Sequence, residues 1–217
     1  MLGPLGRVRH LHFLGVGGVG MCGLAEVLLA QGLMVSGCDL VDSERTRRLV
    51  RLGASVTLGH SPDHIDGVDA VVTSSAVDLC DPELVSARNQ GVPIIRRAEM
   101  LAELMRSRLG VAVAGTHGKT TTAAFIAHLL TLAGLDPSVV VGGRQRETDS
   151  HARLGLGQLL VCEADEYDRS FLELRPVWAV ITNVEAEHLD CYRDTDELDA
   201  AFVSFASRVP FWGAVIA

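Results

Sequence analysis

Residues 111–130, VAVAGTHGKTTTAAFIAHLL, decide how the chain is read. They open as an apolar run without alternation, the pattern of a strand buried on both faces of a parallel sheet. The run breaks at Gly115-Thr116-His117-Gly118-Lys119-Thr120-Thr121, and a helical pattern then continues to about Ala133. A strict phosphate-binding loop reads G-x-x-x-x-G-K-[ST]. Counting back from Gly118, its first glycine would fall on Val113, so the strict spacing fails. The physical parts still stand in order: a buried strand, a tight turn, a lysine, then hydroxyls opening a helix. Backbone N–H groups at such a turn attract anions. Lys119 can neutralise terminal phosphates, and Thr120 can reach a magnesium ion. Residues 115–121 are therefore read as an ATP cradle.

Downstream, two more apolar runs end in polar residues. LLVCEAD carries Glu163 and Asp165, with Glu166 and Asp168 following; VWAVITN ends in Asn183, with Glu187, His188 and Asp190 following. Ligands of parallel sheets gather at the carboxyl ends of strands, so these groups are expected to face the crevice that Thr120 faces. Oxygen ligands suit magnesium, and His188 is a less usual ligand for it.

Upstream, the first hundred residues alternate strand-like and helical segments, as parallel βαβ units do. HLHFLGV reads as a strand, residues 17–31 as an amphipathic helix and LMVSGCD as the next strand. Ser43 is expected to cap a helix over residues 43–52, and Asp81-Pro82-Glu83 to open another. DAVVTSS and VPIIR read as further strands, and the pattern restarts at Leu109. The expected fold class is α/β. A Rossmann-like domain over residues 1–107 precedes a P-loop-type α/β ATPase domain over residues 108–217. The closing PFWGAVIA reads as a core strand that breaks off at Ala217, so the second domain is expected to be incomplete.

Between the first strand and helix, Gly15-Val16-Gly17-Gly18-Val19-Gly20 matches G-x-G-x-x-G, and Asp39 ends the second strand. This is the dinucleotide fingerprint: glycines for the turn, a helix N-terminus for a pyrophosphate, an acid for ribose hydroxyls. A UDP-sugar also carries a pyrophosphate and a ribose, so the geometry serves either ligand.

The bulk numbers set outer bounds. A net charge of -8 argues against general nucleic-acid binding. Hydrophobic residues make up 48% and charged residues 21%, a soluble globular composition. No run approaches the ~18 apolar residues of a membrane span. The five cysteines form no C-x-x-C pair, which suits a reducing cytoplasm. His60 and His64 flank Pro62 and are read as surface histidines rather than a metal pair, and His128 as structural.

GTHGKTTT, EADEYDRSFLELRP and TNVEAEHLD, in this order, resemble the central domain of the Mur ligases, the ATP-dependent amide-bond-forming enzymes of peptidoglycan synthesis. With HFLGVGGVGMCGLAEVLLAQGLMVSGCDL and RRAEMLAELMR, the resemblance covers essentially the whole chain. It implies UDP-N-acetylmuramate and L-alanine as substrates, ATP and Mg2+ as cofactors, and a cytoplasmic enzyme. UDP-sugar binding would then fall to Gly15, Gly17, Gly18, Val19, Gly20, Asp39, Ser74 and Ser75. Catalysis would rest on Lys119, Glu163 and His188, and magnesium on Thr120, Glu163 and His188, with Asp165 and Glu166 as alternatives to Glu163. Glu187 and His151 stand where relatives often carry Asp and Asn. Mur ligases also carry a third, C-terminal domain, so this chain is expected to bind the UDP-sugar better than it catalyses. Three other readings stay open: a non-catalytic UDP-sugar-binding fragment, an NAD-dependent oxidoreductase, and another Mur-type ligase that uses a different amino acid or a recycled peptide, against which the N-terminal segment argues.

Overall fold

A computed structural model describes residues 5–145, 150–167, 169–186 and 191–217. The chain forms two compact units, Met1–Met100 and Leu101–Ala217.

In the first unit, β1 (His10–Leu14), β2 (Met34–Asp39), β3 (Ser55–Leu58), β4 (Ala70–Thr73) and β5 (Ile94–Arg96) form a parallel sheet ordered β3-β2-β1-β4-β5. Helices α1 (Val19–Ala30), α2 (Glu44–Arg51) and α3 (Pro82–Gln90) connect them, and α4 (Arg97–Arg106) follows β5 across the division between the units. Ser43 caps α2 as expected. Its hydroxyl accepts from Thr46 N, and the Thr46 hydroxyl accepts from Ser43 N, so two orphan donors are satisfied together. Asp81 caps α3 through Glu83 N, and Gly91 ends it in the left-handed conformation.

The expectation for α1 needs correction. Eight consecutive residues, from Met21 to Leu28, are buried, so the helix is enclosed rather than amphipathic. Its one charge in that run, Glu26, is matched by Arg48 Nε of α2 at 2.8 Å. On β1, Leu14 joins Cys38, Ile65, Val71, Leu84 and Ala87 in an apolar cluster reaching α3.

In the second unit, β6 (Leu109–Ala114), β7 (Ser138–Gln145), β8 (Ser150–Arg153), β9 (Leu159–Glu163), β10 (Trp178–Ile181) and β11 (Ala214–Ile216) are ordered β11-β10-β6-β9-β7-β8. All pairings are parallel except β7 with β8. Helix α5 (Lys119–Leu132) covers β6, β7 and β9, with Ala123 and Ala127 packed on Val111, Val113, Val139 and Val161. Helix α6 (Thr195–Ala206) is capped by Asp194 and buries Phe202 and Phe205 against Phe171. The closing residues form a strand, β11, which lies exposed beside β10 at one edge of the sheet of this chain. Among the described residues no helix is long and apolar enough to cross a membrane.

Candidate functional site

In the first unit the chain runs from β1 outward to β3 on one side and from β4 to β5 on the other. The carboxyl ends of β1 and β4 therefore flank the switch point where open parallel sheets take their ligands. The glycine loop follows β1, and residues 74–77 turn at the end of β4, closed by Val77 N donating to Ser74 O at 3.2 Å. The two loops that the sequence reading assigned to a UDP-sugar thus follow the carboxyl ends of neighbouring parallel strands.

The loop is held from below. Gly15, in the left-handed region at φ 70°, and Val16 donate their N–H groups to Cys38 O at 2.9 and 3.0 Å. Gly17 N donates to Asp39 Oδ2 at 2.8 Å, and a Cβ at Gly17 would stand 2.8 Å from that oxygen. The second Asp39 oxygen accepts from Val41 N at 3.0 Å. Asp39 therefore ties the loop to β2, a task that the sequence expectation of a ribose contact did not include. Helix α1 starts at Gly18 without a side-chain cap and without an acid in its first turn, which leaves its N-terminal N–H groups to attract an anion. Two cations that the sequence reading missed stand at this loop. Arg45 Nε donates to Gly17 O, and Arg97 lies so close to Gly20 that a Cβ there would meet Nη1 at 2.8 Å. No local motif marks either arginine; only the return of α2 and the end of β5 bring them there.

In the second unit the loop after β6 is pinned to the carboxyl end of β10. Thr116 N donates to Asn183 O at 3.1 Å, His117 N to Asn183 Oδ1 at 2.8 Å, and Thr182 Oγ1 to His117 O at 2.6 Å. Glu185 N donates to Thr116 Oγ1 at 2.9 Å, while the His117 ring stands exposed. Gly115 has φ 131°, and a Cβ there would overlap Thr182 Oγ1. Gly118, at φ 81°, opens α5, again without a side-chain cap or an acid in the first turn. Lys119 curls back over the loop: Nζ donates to Gly115 O at 2.7 Å, to Thr116 O at 3.3 Å and to both oxygens of Glu166 at 2.9 Å. Glu166 is itself anchored through its carbonyl, which accepts from Tyr192 Oη at 2.6 Å.

Thr120 is half-buried in the first turn of α5, with Thr121 exposed beside it. Glu163 ends β9 opposite Val113 of β6, with Oε1 accepting from Gly142 N at 2.9 Å. Asp165 is exposed, and its side chain accepts from Tyr167 N. The hydroxyl of Thr120 and the carboxylate of Glu163 are the hard oxygen donors that magnesium takes, so the residues present fit that ion. His188, Glu187, Asp190 and Asp168 lie outside the described residues, as does the side chain of His151. Glu166, which the sequence reading offered only as an alternative metal ligand, is the partner of Lys119. Thr182 and Tyr192 were missed, since a threonine and a tyrosine in these runs carry no signal of their own.

His60 and His64 also need correction. Both are mostly buried and turned inward on the carboxylates of α3, His64 Nδ1 onto Glu83 at 2.7 Å and His60 Nδ1 onto Asp81 at 2.9 Å.

Residues 10–109 match the Mur ligase family catalytic domain, and residues 113–217 match the Mur ligase middle domain. The chain belongs to the Mur ligase family. It is 55% identical to the UDP-N-acetylmuramate–L-alanine ligase of Thiobacillus denitrificans over 210 residues, 96% of this chain and 45% of that protein. The enzyme of the same name from Sorangium cellulosum is 56% identical over 97% of this chain and 45% of its own length. The chain thus spans about half the length of these relatives. Among solved Mur ligases, the UDP-N-acetylmuramate-alanine ligase of Thermotoga maritima superposes with a TM-score of 0.86 at 32% identity, over 94% of this chain and 48% of that one. The UDP-N-acetylmuramate:L-alanyl-gamma-D-glutamyl-meso-diaminopimelate ligase of Neisseria meningitides gives 0.88 at 32% identity, over 96% and 70%.

Proposed function

We propose that this chain carries the UDP-sugar and ATP sites of a ligase that joins L-alanine to the lactyl carboxylate of UDP-N-acetylmuramate. The observation that carries the reading is Lys119, held by Glu166 over a glycine loop at the carboxyl end of β6. The pyrophosphate of the UDP-sugar is assigned to the loop after β1 and the N-terminus of α1, with Arg45 and Arg97 adding charge and residues 74–77 forming a wall. ATP is assigned to residues 115–121. Thr120 and Glu163, with His188 from the sequence reading, are the proposed magnesium ligands. When bound, that ion neutralises phosphate charge and orients the terminal phosphoryl group.

A carboxylate is a poor electrophile, so it must first be activated. A lactyl carboxylate oxygen attacks the γ-phosphorus, the bond to the β,γ-bridging oxygen breaks, and ADP leaves. The alanine amine then attacks the acyl-phosphate carbon, loses a proton, and expels inorganic phosphate as the amide forms. Positioning and charge neutralisation dominate such a transfer. Lys119 supplies the charge at the terminal phosphates, and the backbone of residues 115–118 fixes their place. A reaction that consumes ATP and a UDP-sugar belongs in the cytoplasm.

A second reading concerns the amine. The Neisseria enzyme shares UDP-N-acetylmuramate with the alanine ligases in its name but takes a peptide, and it superposes on this chain as well as the Thermotoga enzyme does. The UDP-sugar assignment is common to both readings; the amine is not.

Titration with a non-hydrolysable ATP analogue, with and without magnesium, tests the ATP assignment. Saturable binding that needs magnesium and falls at least about tenfold in Lys119→Ala is expected. Equal affinity in the variant overturns it.

A further inference from the structure

We propose that His12, Cys38, His64 and Glu83 form a binding site for a zinc-class divalent cation inside the first unit, separate from any nucleotide-bound magnesium. The four donors come from four segments: β1, β2, the 3-10 turn over Pro62–Ile65, and the first turn of α3. Their ligand atoms all lie within 4.8 Å of one another. His12 Nε2 and Cys38 Sγ sit 2.9 and 3.1 Å from Glu83 Oε2, and His64 Nδ1 sits 2.7 Å from Oε1. Tetrahedral zinc, with bonds of about 2.0–2.3 Å, holds its donors roughly 3.3–3.7 Å apart. The three contacts to Glu83 would have to open by roughly half an ångström to admit the ion.

Two features favour a metal over a plain hydrogen-bonded cluster. Beside the carboxylate the donor set holds two imidazole nitrogens and a thiol sulfur, donors that suit zinc and not the oxygen-seeking magnesium ion. The charges close: a dication with one thiolate and one carboxylate is neutral, as an enclosed site requires. Cys38 and Glu83 are fully buried, so an unbalanced dication would not be tolerated there.

The outer partners are also in place. His12 Nδ1 is 2.8 Å from Ser36 Oγ, and His64 Nε2 is 3.4 Å from Thr57 Oγ1. An imidazole bound through one nitrogen can donate its other N–H to those hydroxyls, so each ring keeps its outer bond by exchanging tautomers. His64 and His60 stand on the more open side and give an entry path.

Binding would release the Cys38 thiol proton to solvent, with the thiolate sulfur entering the coordination sphere. The consequence is local. Cys38 O accepts from Gly15 and Val16, so a metal clip on Cys38 would stiffen the floor of the glycine loop.

Cobalt(II) is the probe. The full chain, dialysed without thiol reductants, is titrated with cobalt chloride and followed by absorption. The expected result is one equivalent of cobalt giving a near-ultraviolet sulfur-to-cobalt band and intense tetrahedral visible bands, both removed by zinc. Cobalt bound to oxygen ligands elsewhere gives no sulfur band. Cys38→Ser should abolish the band while the variant stays folded by circular dichroism, and Ser36→Ala should weaken cobalt binding about 10–100-fold. Zinc should raise the melting temperature of the parent chain but not of Cys38→Ser. Absence of the sulfur band, or a band that survives in Cys38→Ser, overturns the proposal.

Discussion

Lys119 Nζ and the Glu166 carboxylate form a bidentate pair at 2.9 Å, with Glu166 only 1% exposed and Lys119 17% exposed. An ammonium has three N–H donors, and these are already spread over Glu166 and the carbonyls of Gly115 and Thr116. A phosphate entering the loop must take over at least one of them. The pair is therefore a structural contact and, on the proposed ATP assignment, the element that nucleotide binding would rearrange.

Breaking the pair from one side should cost more than removing both charges. Lys119→Ala takes the ammonium away from a buried carboxylate and should destabilise the chain by about 3 kcal/mol. Adding Glu166→Gln to Lys119→Ala should restore part of that loss. Urea denaturation of the two single variants and the double variant measures the coupling; strictly additive losses would contradict it.

Gly115 and Gly134 both lie at positive φ, 131° and 75°, but only Gly115 has a neighbour in the path of a Cβ. Gly134→Ala should cost about 1 kcal/mol, the left-handed penalty alone. Gly115→Ala adds the overlap with Thr182 and should cost about 3 kcal/mol or more, with ATP binding lost. Equal stability of the two variants would refute the account of the loop.

The cysteines should react in an order set by burial. Burial, with Glu26 beside it, pushes the Cys22 thiol up to about 12, and burial with the hydrogen bond to Glu83 pushes Cys38 up as well. Cys80 is exposed. Since the thiolate is the reactive form, iodoacetamide at pH 8 should label Cys80 in the native chain and leave Cys22 and Cys38 unlabelled until it unfolds. Peptide mapping reads this directly; early labelling of Cys22 would contradict it.

What the sequence disclosed follows from how local each signal is. The β6–loop–α5 unit was legible because an apolar run, two glycines, a lysine and four threonines lie within a dozen residues. The capping of α2 and α3 was legible for the same reason, since Ser43 and Asp81 bond within three residues of themselves. Strands β3 and β8 were not, being four-residue segments without a long apolar run, and β3 is largely exposed. Helix α1 misled because its burial depends on α2 and β2 around it. His60 and His64 misled because the carboxylates that turn them inward, Asp81 and Glu83, lie about twenty residues further on. Glu166 was seen as one acid among four; that it holds Lys119 depends on the β9 loop closing over the loop after β6.

Acid should weaken the entry to α6. Arg193 N at 2.7 Å and the Arg169 guanidinium at 2.8 Å hold Glu197 down at about 2 from an ordinary value of 4.5. With the folded value depressed, the stabilisation is complete above about pH 4.5 and fades as pH falls toward 2. The melting-temperature gap between the parent chain and Glu197→Gln should therefore be constant from pH 7 to 5 and shrink between pH 4.5 and 3. A gap that stays unchanged at pH 3 would rule out this origin.

The central claim is that the first glycine loop takes a UDP-sugar rather than a dinucleotide, and calorimetric titration tests it most directly. The chain is titrated with UDP-N-acetylmuramate and, in parallel, with NADH. The account predicts saturable one-site binding of the UDP-sugar, weakened by Arg97→Ala, and no heat from NADH. Saturable binding of NADH with the UDP-sugar ignored would contradict it at its foundation.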